Sequence, residues 1–186
     1  METVSAIRNV NDIQAIKDYL IQQSERDYLL FVFGINTGLK VSELTAVKKD
    51  DLLDENGNVA EFYHYSDLDE RRRSVYINKK LRLAITEYLK KANSDMCYLF
   101  QSRKFKKPIT RQQAYRIIHD AAVHAGVNEK IGTNSLAKTF GYHAYKKGVS
   151  LALLQKHFHH ATPAETLKFL GIKKDEQIVT QIDVNL

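Results

Sequence analysis

Residues 133–172 read TNSLAKTFGYHAYKKGVSLALLQKHFHHATPAETLKFLGI, and their punctuation marks out successive short helices. Gly148 is a C-terminal stop. Thr162, Pro163 and Glu165 open the last helix with a cap, a proline at the first helical position and an acid at the third. Leu136, Phe140, Leu153, Leu154 and Leu167 are the expected packing positions.

The histidines of this stretch suggest a metal before anything else. His157, His159 and His160 cluster, and His143 lies upstream. A zinc site needs a set of N or S ligands converging in tetrahedral geometry. No cysteine lies near, and the H-x-H-H order falls at the end of a short helix, so the cluster reads as core and surface histidines. No metal and no cofactor are expected.

Helical periods dominate the rest of the chain. Residues 11–23 place Ile13, Ile16, Leu20 and Ile21 on one face, with Asn11 or Asp12 as a cap. Residues 25–37, ERDYLLFVFGINT, are apolar almost all round, which predicts a central buried helix stopped by Gly38. A short helix follows through Val41, Leu44 and Val47. From 50 to 78 the period changes, and the β-rich runs at 59–65 and 73–78 predict a hairpin or a small three-stranded sheet. Asp67, Leu68, Asp69 and Glu70 form the expected turn. Helix returns at 79–91 with Leu81, Leu83, Ile85 and Leu89, and again after the capping pair Thr110 and Gln113, with Gly126 as a stop. The expected fold is mainly α with a small antiparallel β-sheet. One domain is expected over 1–172, followed by a tail, 173–186, that packs back or reaches a partner.

Composition narrows the class. The chain has 186 residues, 44% hydrophobic and 27% charged, which suits a globular domain. No apolar run approaches the ~18 residues of a membrane span. The N-terminus lacks the pattern of a secretory signal, and the lone Cys97 excludes an internal disulfide. A cytoplasmic protein with no membrane partner is expected. The net charge of +6 suits a nucleic-acid partner, because phosphate contacts need Lys and Arg.

The cations are grouped. QSRKFKKPITRQQAYR, 101–116, holds Arg103, Lys104, Lys106, Lys107, Arg111 and Arg116 without an acid, interleaved with Phe105 and Tyr115. It runs from a loop into a helix start, where backbone N–H groups also favour phosphate. Arg71, Arg72 and Arg73 form a second run, partly offset by Asp67, Asp69 and Glu70. Neither a phosphate-binding P-loop nor a G-x-S-x-G or H-E-x-x-H motif is present.

At this point a resemblance carries the reading further. FGINTGLKVSELTAVKKDDL, 33–52, is similar to the first signature of the tyrosine recombinases, the phage-integrase family. The 133–172 stretch resembles its second without gaps, including Thr139-Phe140, Gly148 and the distance from His160 to Phe169. The chain as a whole resembles the short, single-domain members. In that family a tyrosine hydroxyl attacks a DNA phosphodiester to give a 3′-phosphotyrosine. Two arginines grip the non-bridging oxygens with planar forks. A hairpin lysine protonates the leaving 5′-oxygen, and two histidines assist.

Carried over by position, the resemblance implies a degenerate site. The first arginine falls on Lys40, with an acid retained at Glu43, and the hairpin lysine falls on Leu68. The first histidine falls on Asn134 and the second arginine on Ala137. His160 is kept, and the nucleophile falls on Phe169. Lys138 lies one helix step from Ala137, about 100° round the axis. Tyr142 and Tyr145 sit on the preceding helix and are not expected to substitute for the nucleophile. The expectation is therefore no enzyme. Instead it is a recombinase-like protein that binds double-stranded DNA through Lys40, Arg71, Arg72, Arg73, Arg103, Lys104, Lys106, Lys107, Arg111, Arg116, Lys138 and His160. Such a protein would serve a phage or mobile element as repressor or accessory factor. Two alternatives stand beside it. One is an interaction module whose C-terminal tail binds a second copy, an active recombinase or another regulator. The other is a residual recombinase or nuclease.

Overall fold

Helix α2 (Glu25–Thr37) forms the centre of the computed structural model, which describes residues 4–66, 71–92 and 95–176. Leu29 through Gly34 are all buried, so this helix has no solvent face over that span. Ser24 caps its start through the Asp27 amide, and Gly38 ends it in the left-handed region at φ 71°. Helix α1 (Val10–Gln23) packs Ile13, Ile16 and Leu20 against it. Ile21 stays 45% exposed, because only positions three and four apart share a stripe. The cap of α1 is Asn9, whose side chain accepts from the Asn11 amide, rather than the expected Asn11 or Asp12.

The remaining elements follow in chain order. They are α3 (Val41–Thr45), strands β1 (Phe62–Ser66) and β2 (Arg72–Tyr76), α4 (Lys79–Lys91), α5 (Arg111–His124), α6 (Ser135–Lys146), α7 (Leu151–Phe158) and α8 (Pro163–Leu170). Single 3-10 turns lie at Asp50–Leu52 and Lys174–Glu176. Helices α4 and α6 contact α2 directly, with α7 and α8 packed on α6 rather than on α2. At Gly34 a Cβ would lie 2.5 Å from Leu136 Cδ1, so a glycine lets α6 approach α2 closely. Along α4, Leu81 and Ile85 are buried, whereas Leu83, expected on the same face, is 57% exposed.

The sheet has two strands among the described residues. Tyr65 pairs with Arg73, and Ser66 with Arg72. The possible third strand shrinks to one bridge, Leu53 to Val59. Its chain turns too soon to continue: Asp54 Oδ1 accepts from both the Asn56 and Asn58 amides at 2.9 Å, and Gly57 takes φ 78°. The expected turn at 67–70, with Leu68, lies outside the described residues.

Helices α6, α7 and α8 form a second apolar cluster of Ala137, Tyr145, Leu154, Phe158, Leu170 and Ile172. On α7 the packing residue is Leu154, while Leu153 is 61% exposed and drops out of the expected core. The capping read from sequence at α5 and α8 is present, with Gln113 N to Thr110 Oγ1 and Glu165 N to Thr162 Oγ1 both at 3.1 Å. After α8, Glu176 meets Arg8 at 2.9 Å, so the start of the tail folds back on the chain. The rest of the tail, 177–186, lies outside the described residues. No described helix is long and apolar enough to cross a membrane.

Candidate functional site

One cleft of about 300 Å³ gathers Lys40, Asn134, Ala137, His160 and Phe169. These residues come from four places in the chain. Lys40 is the exposed N-cap residue of α3, and its amide donates to Glu43 Oε2 at 2.7 Å. Glu43 therefore serves the backbone turn that presents Lys40. Asn134 and Ala137 belong to the start of α6, with Asn134 exposed and Ala137 buried. His160 follows α7, and Phe169 lies on α8. The remaining position named from sequence, Leu68, lies outside the described residues.

The floor of the cleft is aromatic. The Phe169 ring lies 5.0 Å from Phe158 and 5.0 Å from the His160 ring, measured between centroids. His160 Nδ1 sits 3.1 Å from Thr166 Oγ1, which fixes the ring against α8. Burial holds the His160 pKa below its ordinary value; Glu165 opposes that shift and Lys40 adds to it. His160 is therefore a neutral imidazole at neutral pH. Burial also lowers His157, against a hydrogen bond to the Thr37 backbone, and neighbouring His159 lowers it further. Among the described lining residues, the cleft's permanent cation is Lys40. One ammonium offers a point charge, without the two-pronged geometry of a guanidinium.

Lys138 departs from its expected role. It is only 6% exposed, its Nζ donates to Val4 O at 2.7 Å, and it sits 5.4 Å from the Phe169 ring centroid. The turn of the helix directs it beneath the N-terminal segment, and burial lowers its pKa. It is a buried donor to the backbone rather than a cation offered to a phosphate.

The basic segment is built as a projecting loop. Ser102 N donates to Lys107 O at 2.8 Å, and Gln101 bridges to Pro108, leaving Arg103 through Lys107 exposed between them. Phe105 is 66% exposed at its tip. Lys106 is held by Asp95 at 2.6 Å, an acid from outside the segment. Arg111, at the start of α5, donates to Thr133 Oγ1 at 3.1 Å, which ties this surface to the residue before Asn134. Arg116 lies exposed on α5, and Arg71 and Arg72 are exposed where the second strand begins. Arg73 is half-buried beside them.

Sequence reasoning did not place Tyr65, His157 or Glu165 in the cleft, yet all three line it. His157 was visible as part of a histidine cluster, but which face of α7 it took depended on tertiary packing. Tyr65 lies on a strand whose two faces both carry aromatic residues, so alternation gave no signal. Tyr145 is buried, and Tyr142 lies under Arg8 at 4.7 Å. Neither lines the cleft. Among the described residues no three His, Cys, Asp or Glu side chains converge as metal ligands.

Comparison with known proteins places this architecture. "Probable integrase/recombinase YoeC" of Bacillus subtilis (strain 168) is 38% identical over 175 residues, covering 94% of this chain and 93% of that protein. The crystal structure of XerA recombinase superposes with a TM-score of 0.75 at 20% identity, over 95% of this chain. That of XerH recombinase bound to palindromic difH substrate, a post-cleavage complex, gives 0.73 at 20% over 93%. This chain spans 61% and 50% of those two chains. The model of the phage integrase family matches residues 8–174, and the chain belongs to that family.

Proposed function

We propose that this protein is a DNA-binding member of the phage integrase family that has lost strand cleavage. The observation that carries the reading is Phe169. At the position where the resemblance puts the nucleophile, a phenyl ring packs against Phe158 and His160. Phosphoryl transfer to protein needs an oxygen, sulfur or nitrogen lone pair to attack phosphorus while the 5′-oxygen leaves. A phenyl ring has none. Charge stabilisation is depleted in the same cleft, because Ala137 brings no donor and Lys40 brings one ammonium. Losing a single such donor costs about 10²–10³ in rate.

The grip on DNA is supported by the exposed cations Arg103, Lys104, Lys107, Arg111 and Arg116, by the bond from Arg111 to Thr133, and by the solved XerH complex with its substrate. A protein that holds duplex DNA inside the cell without cutting it can occlude a site or accompany an active recombinase. The role of repressor or accessory factor of a phage or mobile element follows from that. The relatives' names and the presence of Tyr65 in the cleft lining favour a second reading, a working recombinase with a relocated nucleophile.

A nicked suicide substrate separates the two. The wild-type protein is expected to shift the DNA in a gel and leave no covalent adduct after denaturation. An adduct, mapped to any tyrosine, overturns the proposal. Absence of binding at low salt overturns the DNA-binding half of it.

A further inference from the structure

A second hollow lies beside the cleft, between strand β2 and helix α7. Its volume is about 340 Å³. None of Lys40, Asn134, Ala137, His160 or Phe169 lines it. Its walls bring Arg72, Arg73 and Ser74 from the strand to face Lys156 and His159 from the end of the helix. No carboxylate is among the described lining residues, whereas Glu43 and Glu165 both line the neighbouring cleft. Two arginines, a lysine and a serine lining one hollow are the residue types that donate to a tetrahedral oxyanion.

His159 adds an independent observation. It is the non-glycine residue with positive φ among those described, at φ 58° and ψ 38°. It ends α7 where glycine adopts that conformation without strain. A side chain kept in this region is a pointer to function. Here its imidazole stands on the wall shared by the hollow and the cleft.

We infer that this hollow binds one phosphate group, a phosphodiester of the DNA backbone next to the one over the blunted cleft, with Arg72 and Lys156 as opposing cations and His159 as the link between the two positions. The inference rests on the proposed DNA binding and adds Lys156 and His159 to its contacts. It gives the protein a second anchoring point that does not depend on any position of the catalytic set.

The test uses the full chain and four variants: Arg72→Gln with Lys156→Gln combined, His159→Gly, His159→Asn, and Lys90→Gln as a control cation on α4. DNA affinity is measured across a salt series, and thermal unfolding alongside. The double variant is expected to weaken binding about tenfold and reduce the slope of log K against log salt by about 0.9, one phosphate contact. The control is expected to change neither. His159→Gly is expected to unfold at a higher temperature and bind DNA less tightly, with His159→Asn between. A purely structural His159 would change unfolding and leave affinity alone. Wild-type binding with an unchanged slope and affinity in the double variant overturns the inference while leaving DNA binding intact. If wild type binds no DNA, inorganic phosphate titrated against the His159 imidazole resonances decides. A saturable shift abolished in the double variant supports a site for free phosphate, and no shift overturns the site.

Discussion

Phe169 and a tyrosine differ by one oxygen, and in the proposed function that oxygen decides whether phosphorus can be attacked. The Phe169→Tyr variant is expected to fold, because the ring is half-buried beside an open cleft and keeps its contacts with Phe158 and His160. It is also expected to form no covalent adduct on a suicide substrate, because Ala137 still supplies no guanidinium. An adduct from this single change would show that the cleft retains working chemistry. The two neutral histidines give a second measurable consequence. Burial holds both His157 and His160 below the ordinary value of 6.5. The folded chain therefore takes up the proton less readily than the unfolded chain. Stability from this source is complete above pH 6.5, falls as pH drops through that value, and levels below the lowered folded value. Melting temperature is expected to fall between pH 7.5 and 5.5, and less so in His157→Gln. The carboxylates with depressed values, Glu87, Asp95 and Glu176, act lower, below about 4.5. A flat profile in wild type would contradict the burial of these rings.

The joint between α2 and α3 controls the mouth of the cleft. Gly38 ends α2 at φ 71°, and a Cβ there would lie 2.5 Å from Phe140 Cδ1 and 2.8 Å from His157 Nε2. Gly38→Ala meets both a left-handed backbone and an occupied space. The expected loss is about 2–4 kcal/mol, or roughly 4–16 °C in melting temperature by calorimetry. Lys40 follows two residues later, so the same change should displace it. Element by element, the sequence was informative wherever caps and apolar periods agreed. The helix predicted over 25–37 is found at Glu25–Thr37, and Thr110 and Thr162 cap as their spacing implies. It misled where side chains one helix step apart had to be told apart. Leu153 and Leu154 are sorted to surface and interior by the neighbouring helix, and Lys138 is buried together with Ala137, which no local pattern records. The five described positions carried over from the resemblance line one cleft, and motif spacing is what let them be named together. Tyr65 was not among them, because its place in the cleft depends on how the hairpin lies against α7.

At the scale of the whole molecule the net charge of +6 is less informative than where its parts point. Lys138 is turned inward to Val4 O, Lys106 is paired with Asp95, and Arg8 is paired with Glu176. Those cations are poorly placed for a phosphate. Arg103, Lys104 and Lys107 are exposed on one short loop that is pinned at both ends, so they can meet a duplex without first ordering the chain. Counterion release converts each phosphate contact into about 0.9 of slope in log K against log salt. Changing Arg103, Lys104 and Lys107 together to glutamine is therefore expected to reduce the slope by about 2–3 and weaken binding at every DNA sequence tested. Lys138→Met removes the same charge per residue from the interior. It is expected to leave the slope unchanged and to alter stability instead, through the lost bond to Val4 O. If Lys138→Met reduced the slope as much as one loop cation, the inward placement of that lysine would be wrong, and the DNA-facing surface would extend across the start of α6.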